Sequence, residues 1–299
     1  MNFWKEWTAF NILRLNSIFS HENIEFHSIE YSDKLILTRL GDKWHIQPTY
    51  FVDSVGPADA LATINFVKSE NRLTSHISSV IPALECESDY FLKTLGLSHY
   101  WRRSSYYSIA LSGRSAEDAL AGMASRQRSK IRNKAYSYYV EVIDFKEIHA
   151  SILAKQQIEW GVSKLNFFSS NDLMSIANRF QTKLWEVNCE NSENLYIFII
   201  ECFQEAYFFL SATTNSNARE ASLFAHWAII KNLIERNYKF YHLGGGVNSG
   251  DGVERFKQSL GANEINRLLF PFTLNVEFAG NFFPNWLEQM MLPVIVKST

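Results

Sequence analysis

The order of apolar and polar residues predicts alternating helices and strands along the first third of the chain. Apolar residues recur at helical spacing from 3 to 19, which predicts an amphipathic helix. Short runs rich in β-branched and aromatic residues predict strands at 24–30, 34–40, 44–47 and 106–111. Helical patterns occupy 58–68 and 87–96 between them.

The pattern changes between 115 and 140. Ser115 is followed by acidic residues, which predicts the start of a helix. The second half of this segment is basic and contains Arg126, Arg128, Lys130, Arg132 and Lys134. A strand pattern, YVEVIDF, follows directly. We place the boundary between two lobes here, near residue 142.

The second half of the chain predicts helices at 148–160 and 170–184. Two strand-like runs, LYIFIIECF and AYFFLSAT, are separated by two residues and predict a β-hairpin. A polar loop, a helix at 220–236 and a strand at 238–243 come next. This order predicts an α/β fold with a mixed sheet and helices layered on it. The predicted lobes are 1–142, completed by 271–299, and 143–270.

The bulk properties are those of a soluble protein with a packed core. Hydrophobic residues make up 46% of the chain and charged residues 20%, and the net charge of -2 gives no global attraction to nucleic acid or membrane. The three cysteines are scattered, which is typical of a reduced protein, and no metal is expected. Charges interrupt the apolar amino terminus and no uncharged apolar run reaches about 18 residues. We therefore expect a cytoplasmic protein without a transmembrane segment and with at most peripheral membrane contact.

A glycine loop follows the predicted strand that ends at Leu243. Gly244, Gly245 and Gly246 permit positive φ and a close approach of another backbone or a ligand. Their spacing fits neither a dinucleotide-binding fingerprint nor a P-loop. Taken alone, the cluster is typical of a sharp turn.

The helix predicted after this loop, at 252–260, carries a lysine beside its apolar stripe. Val253, Phe256 and Leu260 fall on one face, and Lys257 lies at the edge of that face. An ammonium group is costly to bury without an anionic or carbonyl partner. The alternative is a packed stem with the charge in water.

These residues together resemble the Fem-type transferases, which are related to the GNAT acyltransferases. The resemblance rests on YHLGGGVNSGDGVERFKQSLG at 241–261, which is similar to that family's Y-[DH]-L-G-G loop and F-K motif. Upstream, the hairpin, loop and helix are in the family's order, and SRQRSKIRNKA resembles its R-x-x-I-R-K-A segment. The match covers about 126–261, and the first 110 residues match only in the order of their elements.

The resemblance implies two tandem GNAT-like lobes and transfer of an acyl or aminoacyl group to an amine. It implies acyl-CoA or aminoacyl-tRNA as donor, and a peptidoglycan precursor or a nucleotide- or lipid-linked sugar as acceptor. Lys257, in the Phe256-Lys257 pair, would stabilise charge on the donor, and Tyr241 would line the acceptor channel. Such an enzyme would serve cell wall or polysaccharide biosynthesis, with tRNA as a further partner if the donor is aminoacyl-tRNA.

The source of a general base stays open at this level. Asp251 and Glu254 are near the motif, and His242 stands where relatives often have Asp. A buried strand histidine satisfied by the backbone, a loop-capping Asp251, and proton transfer by the substrate itself are the alternatives.

Other contacts to substrate are expected from arginines. Arg219 begins a helix after a polar loop, where anions bind in GNAT proteins, but the usual CoA signature [RQ]-x-x-G-x-[GA] is missing. Arg126, Arg128 and Arg132 either contact substrate or form a solvated helix face. The missing signature leaves room for a non-catalytic GNAT-like scaffold that binds a nucleotide sugar or a partner protein.

Overall fold

A computed structural model describes residues 3–19, 26–32, 35–40, 43–48, 77–84, 102–134, 137–162, 167–188, 194–213, 219–245 and 252–274. The chain forms two compact units. The first comprises Met1–Ser104, Ser163–Asn166 and Asn266–Thr299, and the second comprises Ser105–Val162 and Phe167–Ile265.

The first unit contains helix α1 (Phe3–Phe19), strands β1 (Phe26–Ser32), β2 (Leu35–Leu40), β3 (Lys43–Pro48) and β4 (Ile77–Leu84), and most of β11 (Asn263–Leu274). The strands lie in the order β1-β2-β3-β4-β11. Only the β3–β4 pairing among them is parallel. The predicted helix at 3–19 and the first three predicted strands are confirmed. The helices predicted at 58–68 and 87–96 lie outside the described residues.

The second unit is built on a mixed sheet of six strands in the order β5-β10-β9-β8-β7-β6. These are β5 (Arg102–Ala110), β6 (Tyr139–Ile143), β7 (Thr182–Asn188), β8 (Asn194–Cys202), β9 (Glu205–Thr213) and β10 (Phe240–Gly245). Its helices are α2 (Ala116–Gly122), α3 (Ser125–Lys134), α4 (Glu147–Glu159), α5 (Ser170–Arg179), α6 (Arg219–Glu235) and α7 (Gly252–Ser259). Strand β10 is parallel to β9 and antiparallel to β5. The predicted α/β fold class is confirmed.

The chain passes from the first unit to the second between Ser104 and Ser105, so residue 142 lies within the second unit. The reason is packing: Ala119, Met123 and Ile131, from α2 and α3, are buried in the same apolar cluster as the core residues of α6. The strand β11 pairs with β4. Of the segment 271–299, which was predicted to complete the first lobe, residues 275–299 lie outside the described residues.

Two predicted helices have different bounds in the structure. The helix that starts after Ser115 is capped by that side chain as predicted, but it is interrupted at Met123, whose backbone is extended. The helix predicted at 170–184 ends at Arg179, and residues 182–188 form strand β7 between β6 and β8. Leu184 is buried in this strand. No glycine or proline separates the helical from the extended pattern. The helical pattern of apolar residues therefore continues past Arg179, and the sequence does not mark the boundary.

The predicted hairpin of β8 and β9 is confirmed, and its turn has an unusual composition. Phe203 and Gln204 have φ of 48° and 66°, as the central residues of a type I′ turn do. Side chains with a Cβ are disfavoured in this region, so asparagine and glycine are the usual occupants. Phe203 also leaves 66% of its surface in solvent.

The double substitution Phe203→Asn/Gln204→Gly is expected to raise the free energy of unfolding by about 1 kcal/mol. The gain comes from relief of two positive-φ residues, offset in part by the freedom that glycine adds to the unfolded chain. Urea denaturation measures the difference, and Phe203→Asn alone controls for the loss of an exposed aromatic ring. An unchanged or lower midpoint in the double variant would contradict the strain argument.

Candidate active site

The glycine-bearing end of β10 is a bulge between two neighbouring strands. The pairing with β5 shifts register between His242 and Gly244, so that Gly244 lies opposite Tyr107. Gly244 has φ of +72°, which only glycine adopts at little cost. Gly246 and Asp251, both predicted site residues, lie outside the described residues.

Glu254 and Lys257 on helix α7, and Leu260 directly after it, are buried. Phe256 is half-buried against the core, whereas Val253 leaves 51% of its surface exposed. The prediction that Val253 belongs to the buried apolar face of the helix was therefore wrong. Lys257 occupies the middle of the buried face rather than its edge, because residues 254, 257 and 260 succeed one another at helical spacing.

The ammonium group of Lys257 is bound by the glycine strand. Its side chain is only 7% exposed, and Nζ donates to the carbonyl oxygens of Gly244, at 3.2 Å, and Gly245, at 2.7 Å. The alternative of a packed stem with its charge in water does not hold for this lysine. A carbonyl oxygen only accepts hydrogen bonds, so these contacts hold the amine as a donor at a fixed place.

A buried carboxylate lies one helical turn before the lysine. Glu254 is 6% exposed and accepts a hydrogen bond from the hydroxyl of Tyr107, which is fully buried. Gln258 Nε2 donates to the same hydroxyl at 3.4 Å. Helix α7 is thus bound to β10 through its lysine and to β5 through its glutamate.

The carboxyl end of α7 is fixed by a glycine that permits close packing. Gly261 has φ of +81°, and a Cβ at this position would lie 2.9 Å from the carbonyl oxygen of Gly122. Nearby, Ala124 N donates to Ser259 O at 2.9 Å. The final glycine of the motif therefore allows α7 to approach the end of α2.

Tyr241 contacts a histidine that sequence reasoning missed. Nδ1 of His226, on α6, lies 2.9 Å from the Tyr241 hydroxyl, and both side chains are buried. Burial, with the Lys257 charge adding, lowers the pKa of His226 to about 3, so the imidazole is neutral at physiological pH. Burial also raises the pKa of Tyr241. A polar residue within the apolar stripe of α6 was the available signal.

The role of Tyr241 in lining an acceptor channel stays a prediction, and its side chain is fully buried in this structure. Its hydroxyl is used by His226. The ring of His226 in turn lies 5.7 Å from that of Phe256, which places α7 on the α6 side of the sheet. Tyr241 therefore supports the position of α7 through His226.

His242 lies on the opposite face of the sheet from Tyr241, because successive strand residues alternate. Its Nε2 is 3.2 Å from Glu205 Oε2, and its ring stacks on Tyr207 with centroids 4.5 Å apart. The structure therefore does not bring His242 together with Lys257.

Most of the basic side chains of helix α3 contact other groups of the chain. Arg128 Nη1 donates to the carbonyl oxygens of Ala121, at 3.0 Å, and Met123, at 2.5 Å, and so caps α2. Lys130 and Lys134 form ion pairs with one acidic residue of α6, Glu220, at 3.0 and 3.3 Å. These contacts explain much of the basic cluster without a ligand.

Of the other predicted arginines, two lie on the surface and one begins a helix. Arg126 and Arg132 are exposed on α3, and Arg219 is the first residue of α6. Among the described residues there is no group of three or more His, Cys, Asp or Glu that could hold a metal ion. Within the same residues, none of the helices has the length and apolar character needed to cross a membrane.

Structural comparison defines the class of fold: the chain has the mixed α/β fold of Fem-type and lysylphosphatidylglycerol synthetase structures. FemX matches with a TM-score of 0.54 at 12% identity, over 91% of this chain and 96% of FemX. The resemblance deduced from the motif is thereby confirmed at the level of the fold.

Two further structures share this fold. One, from Agrobacterium fabrum, is described as the C-terminal domain of a lysylphosphatidylglycerol synthetase; it has a TM-score of 0.56 at 12% identity, over 88% of this chain and 91% of that chain. L-PGS from Bacillus licheniformis has a TM-score of 0.53 at 12% identity, over 86% and 90% of the two chains. No protein-family model and no curated protein matches the sequence.

Proposed function

We propose that this protein is a cytoplasmic acyl- or aminoacyltransferase that forms an amide on an amine of a cell-surface glycan or peptidoglycan precursor. The observation that carries the proposal is the buried ammonium of Lys257, held by two carbonyls of the glycine strand within a Fem-like motif. The fold shared with FemX and the lysylphosphatidylglycerol synthetases supports transfer chemistry of this general kind.

The reaction proceeds by direct attack of the acceptor amine on the donor carbonyl. The tetrahedral intermediate carries an oxyanion, which the positive charge of Lys257 stabilises. Burial of Lys257 strengthens the effect of this charge, because water screens it little.

A covalent enzyme intermediate is disfavoured by the one cysteine among the described residues. Cys202 is buried, and burial raises the pKa of its thiol to about 12, so it stays protonated at neutral pH. A protonated thiol is a poor nucleophile. Cys86 and Cys189 lie outside the described residues.

The donor is either acyl-CoA or aminoacyl-tRNA. The missing CoA signature favours aminoacyl-tRNA, and so do the exposed Arg126 and Arg132, which are suited to phosphate contacts. A transfer reaction abolished by RNase and weakened by charge reversal at these two arginines identifies tRNA. Insensitivity to both changes, with activity on acyl-CoA, identifies the thioester donor.

The function is tested by transfer of a labelled acyl or aminoacyl group to amine-bearing cell-wall precursors by the wild type and by Lys257→Met. Transfer by the wild type and its loss in the variant support the proposal. In parallel, a true donor or acceptor at 100 times its dissociation constant stabilises the protein by about 2.7 kcal/mol. Absence of both transfer and stabilisation overturns the enzyme and favours the non-catalytic scaffold.

A further inference from the structure

Direct attack by an amine releases a proton that some group must accept. Lys257 is held as a donor by two carbonyl oxygens, so it serves the oxyanion rather than the proton. His242 lies on the other face of the sheet, against Glu205 and Tyr207. The proton acceptor must therefore be another group, on the face of the sheet where α6 lies.

Glu254 stands where such an acceptor is needed. It precedes Lys257 by three residues on α7, and side chains at this spacing are neighbours on a helix surface. Both side chains are more than nine-tenths buried. Carboxylate and ammonium therefore face the same interior, beside the bulge in which Gly244 lies opposite Tyr107.

Tyr107 gives this carboxylate a fixed orientation. Its hydroxyl donates to Glu254 Oε1, and Gln258 Nε2 approaches the same hydroxyl at 3.4 Å. A carboxylate has about four lone-pair sites, so acceptance of a hydrogen bond from Tyr107 is compatible with uptake of a proton from substrate. A base oriented by a third group is the usual arrangement around an attacking nucleophile.

We propose that Glu254 is the general base of the transfer reaction, with Tyr107 as the residue that positions it. This inference rests on the function proposed above. As the amine nitrogen forms its bond to the carbonyl carbon, the carbonyl electrons move to the oxygen beside Lys257. The nitrogen then gives its proton to Glu254.

Collapse of the oxyanion completes the amide. The bond to the donor's sulfur or oxygen breaks, and that leaving group takes the proton from Glu254, which returns as a carboxylate. No electrons enter or leave the system, and no group beyond donor and acceptor is required.

The test separates a base from a merely structural hydrogen bond. In Glu254→Gln the amide oxygen still accepts from Tyr107, but the residue no longer takes up a proton. Tyr107→Phe removes the hydrogen bond and leaves the carboxylate in place. We expect kcat to fall by about 10²- to 10⁴-fold in Glu254→Gln with little change in KM, and by about tenfold or less in Tyr107→Phe.

Two results for these variants would overturn the proposal. If Glu254→Gln transfers at the wild-type rate, the proton goes to the substrate or to another group, and Glu254 only secures α7. If Tyr107→Phe loses as much as Glu254→Gln, the hydrogen bond is structural. Glu235→Gln, at an exposed position of α6, is the matched control and keeps full activity.

Two further measurements keep the result interpretable. If Glu254→Gln does not fold, as judged by circular dichroism, Glu254→Asp replaces it and is expected to retain intermediate activity. Formate is expected to restore part of the rate to Glu254→Ala and none to Lys257→Met, and no restoration in Glu254→Ala counts against a base. A wild type that transfers no group to any acceptor refutes the proposed function itself, and the assignment of Glu254 falls with it.

Discussion

Replacement of Lys257 by methionine is expected to lower kcat for amide formation by about 10²- to 10³-fold, which corresponds to roughly 3 to 4 kcal/mol of transition-state stabilisation. The loss falls on kcat because the charge of Lys257 acts on an oxyanion that exists only in the transition state. KM is expected to change little. Single-turnover rates of product formation measure the chemical step directly.

Methionine is the appropriate replacement because it fills a similar volume without a charge. Removal of the ammonium leaves the carbonyl oxygens of Gly244 and Gly245 without that donor, at a cost of about 1 to 3 kcal/mol. The cost is offset by burial of an apolar side chain in place of a charged one. We therefore expect the variant to stay folded, with a modest change in Tm.

The matched control is Lys155→Met, at a lysine side chain that is 79% exposed on α4. Its single ion pair with Glu159, at 3.8 Å, contributes little. Wild-type activity in this control, with loss in Lys257→Met, assigns the effect to position 257. Full activity in folded Lys257→Met would refute the oxyanion mechanism, whatever the donor.

Local patterns in the sequence were enough to predict the elements around the site. The helix at 220–236 and the hairpin before it have long, regular periodicities, and both agree with α6 and with β8 and β9 to within a residue or two. Strand β7 was missed because its pattern continues that of helix α5 without a breaker. Its extended state is set by cross-strand pairs with β6 and β8, which are tertiary contacts.

The details of the site depend on contacts that spacing does not reveal. Tyr107 and Glu254 are 147 residues apart in the chain, so their hydrogen bond could not be deduced from a motif. Lys257 is held by the carbonyl oxygens of Gly244 and Gly245, which follow a register shift between strands that are distant in sequence. The motif therefore predicted which residue matters, whereas the tertiary fold decides how it is held.

A second large effect is expected at Glu201 on β8, which lies two strands from Tyr241. Its side chain is fully buried, and both carboxylate oxygens are bound by Arg236, at 2.5 and 2.7 Å. Tyr238 and Gln181 each donate to Oε2 at 2.8 Å, and Lys183 lies 3.9 Å from Oε1. This network joins the end of α6 to the centre of the sheet.

Glu201→Gln is expected to lower the free energy of unfolding by about 3 kcal/mol at pH 7. Loss of one partner from a buried ion pair typically costs about 3 to 5 kcal/mol, and Arg236, 29% exposed, recovers some hydration. Arg236→Met is expected to cost more, since it leaves the fully buried carboxylate without its main partner. Urea denaturation measures both, and a double variant less destabilised than the sum confirms the coupling.

The pH dependence follows from the same contacts. Burial alone would raise the pKa of Glu201, but hydrogen bonds from Arg236 and Tyr238 outweigh it and hold the pKa below the ordinary value of 4.5. A group whose folded pKa is depressed contributes stability above its unfolded pKa and loses that contribution as pH falls through the folded pKa. The stability difference between wild type and Glu201→Gln should therefore be constant above about pH 5 and shrink below pH 4.5. A difference that persists unchanged to pH 3 would mean that the carboxylate charge is not what holds the network together.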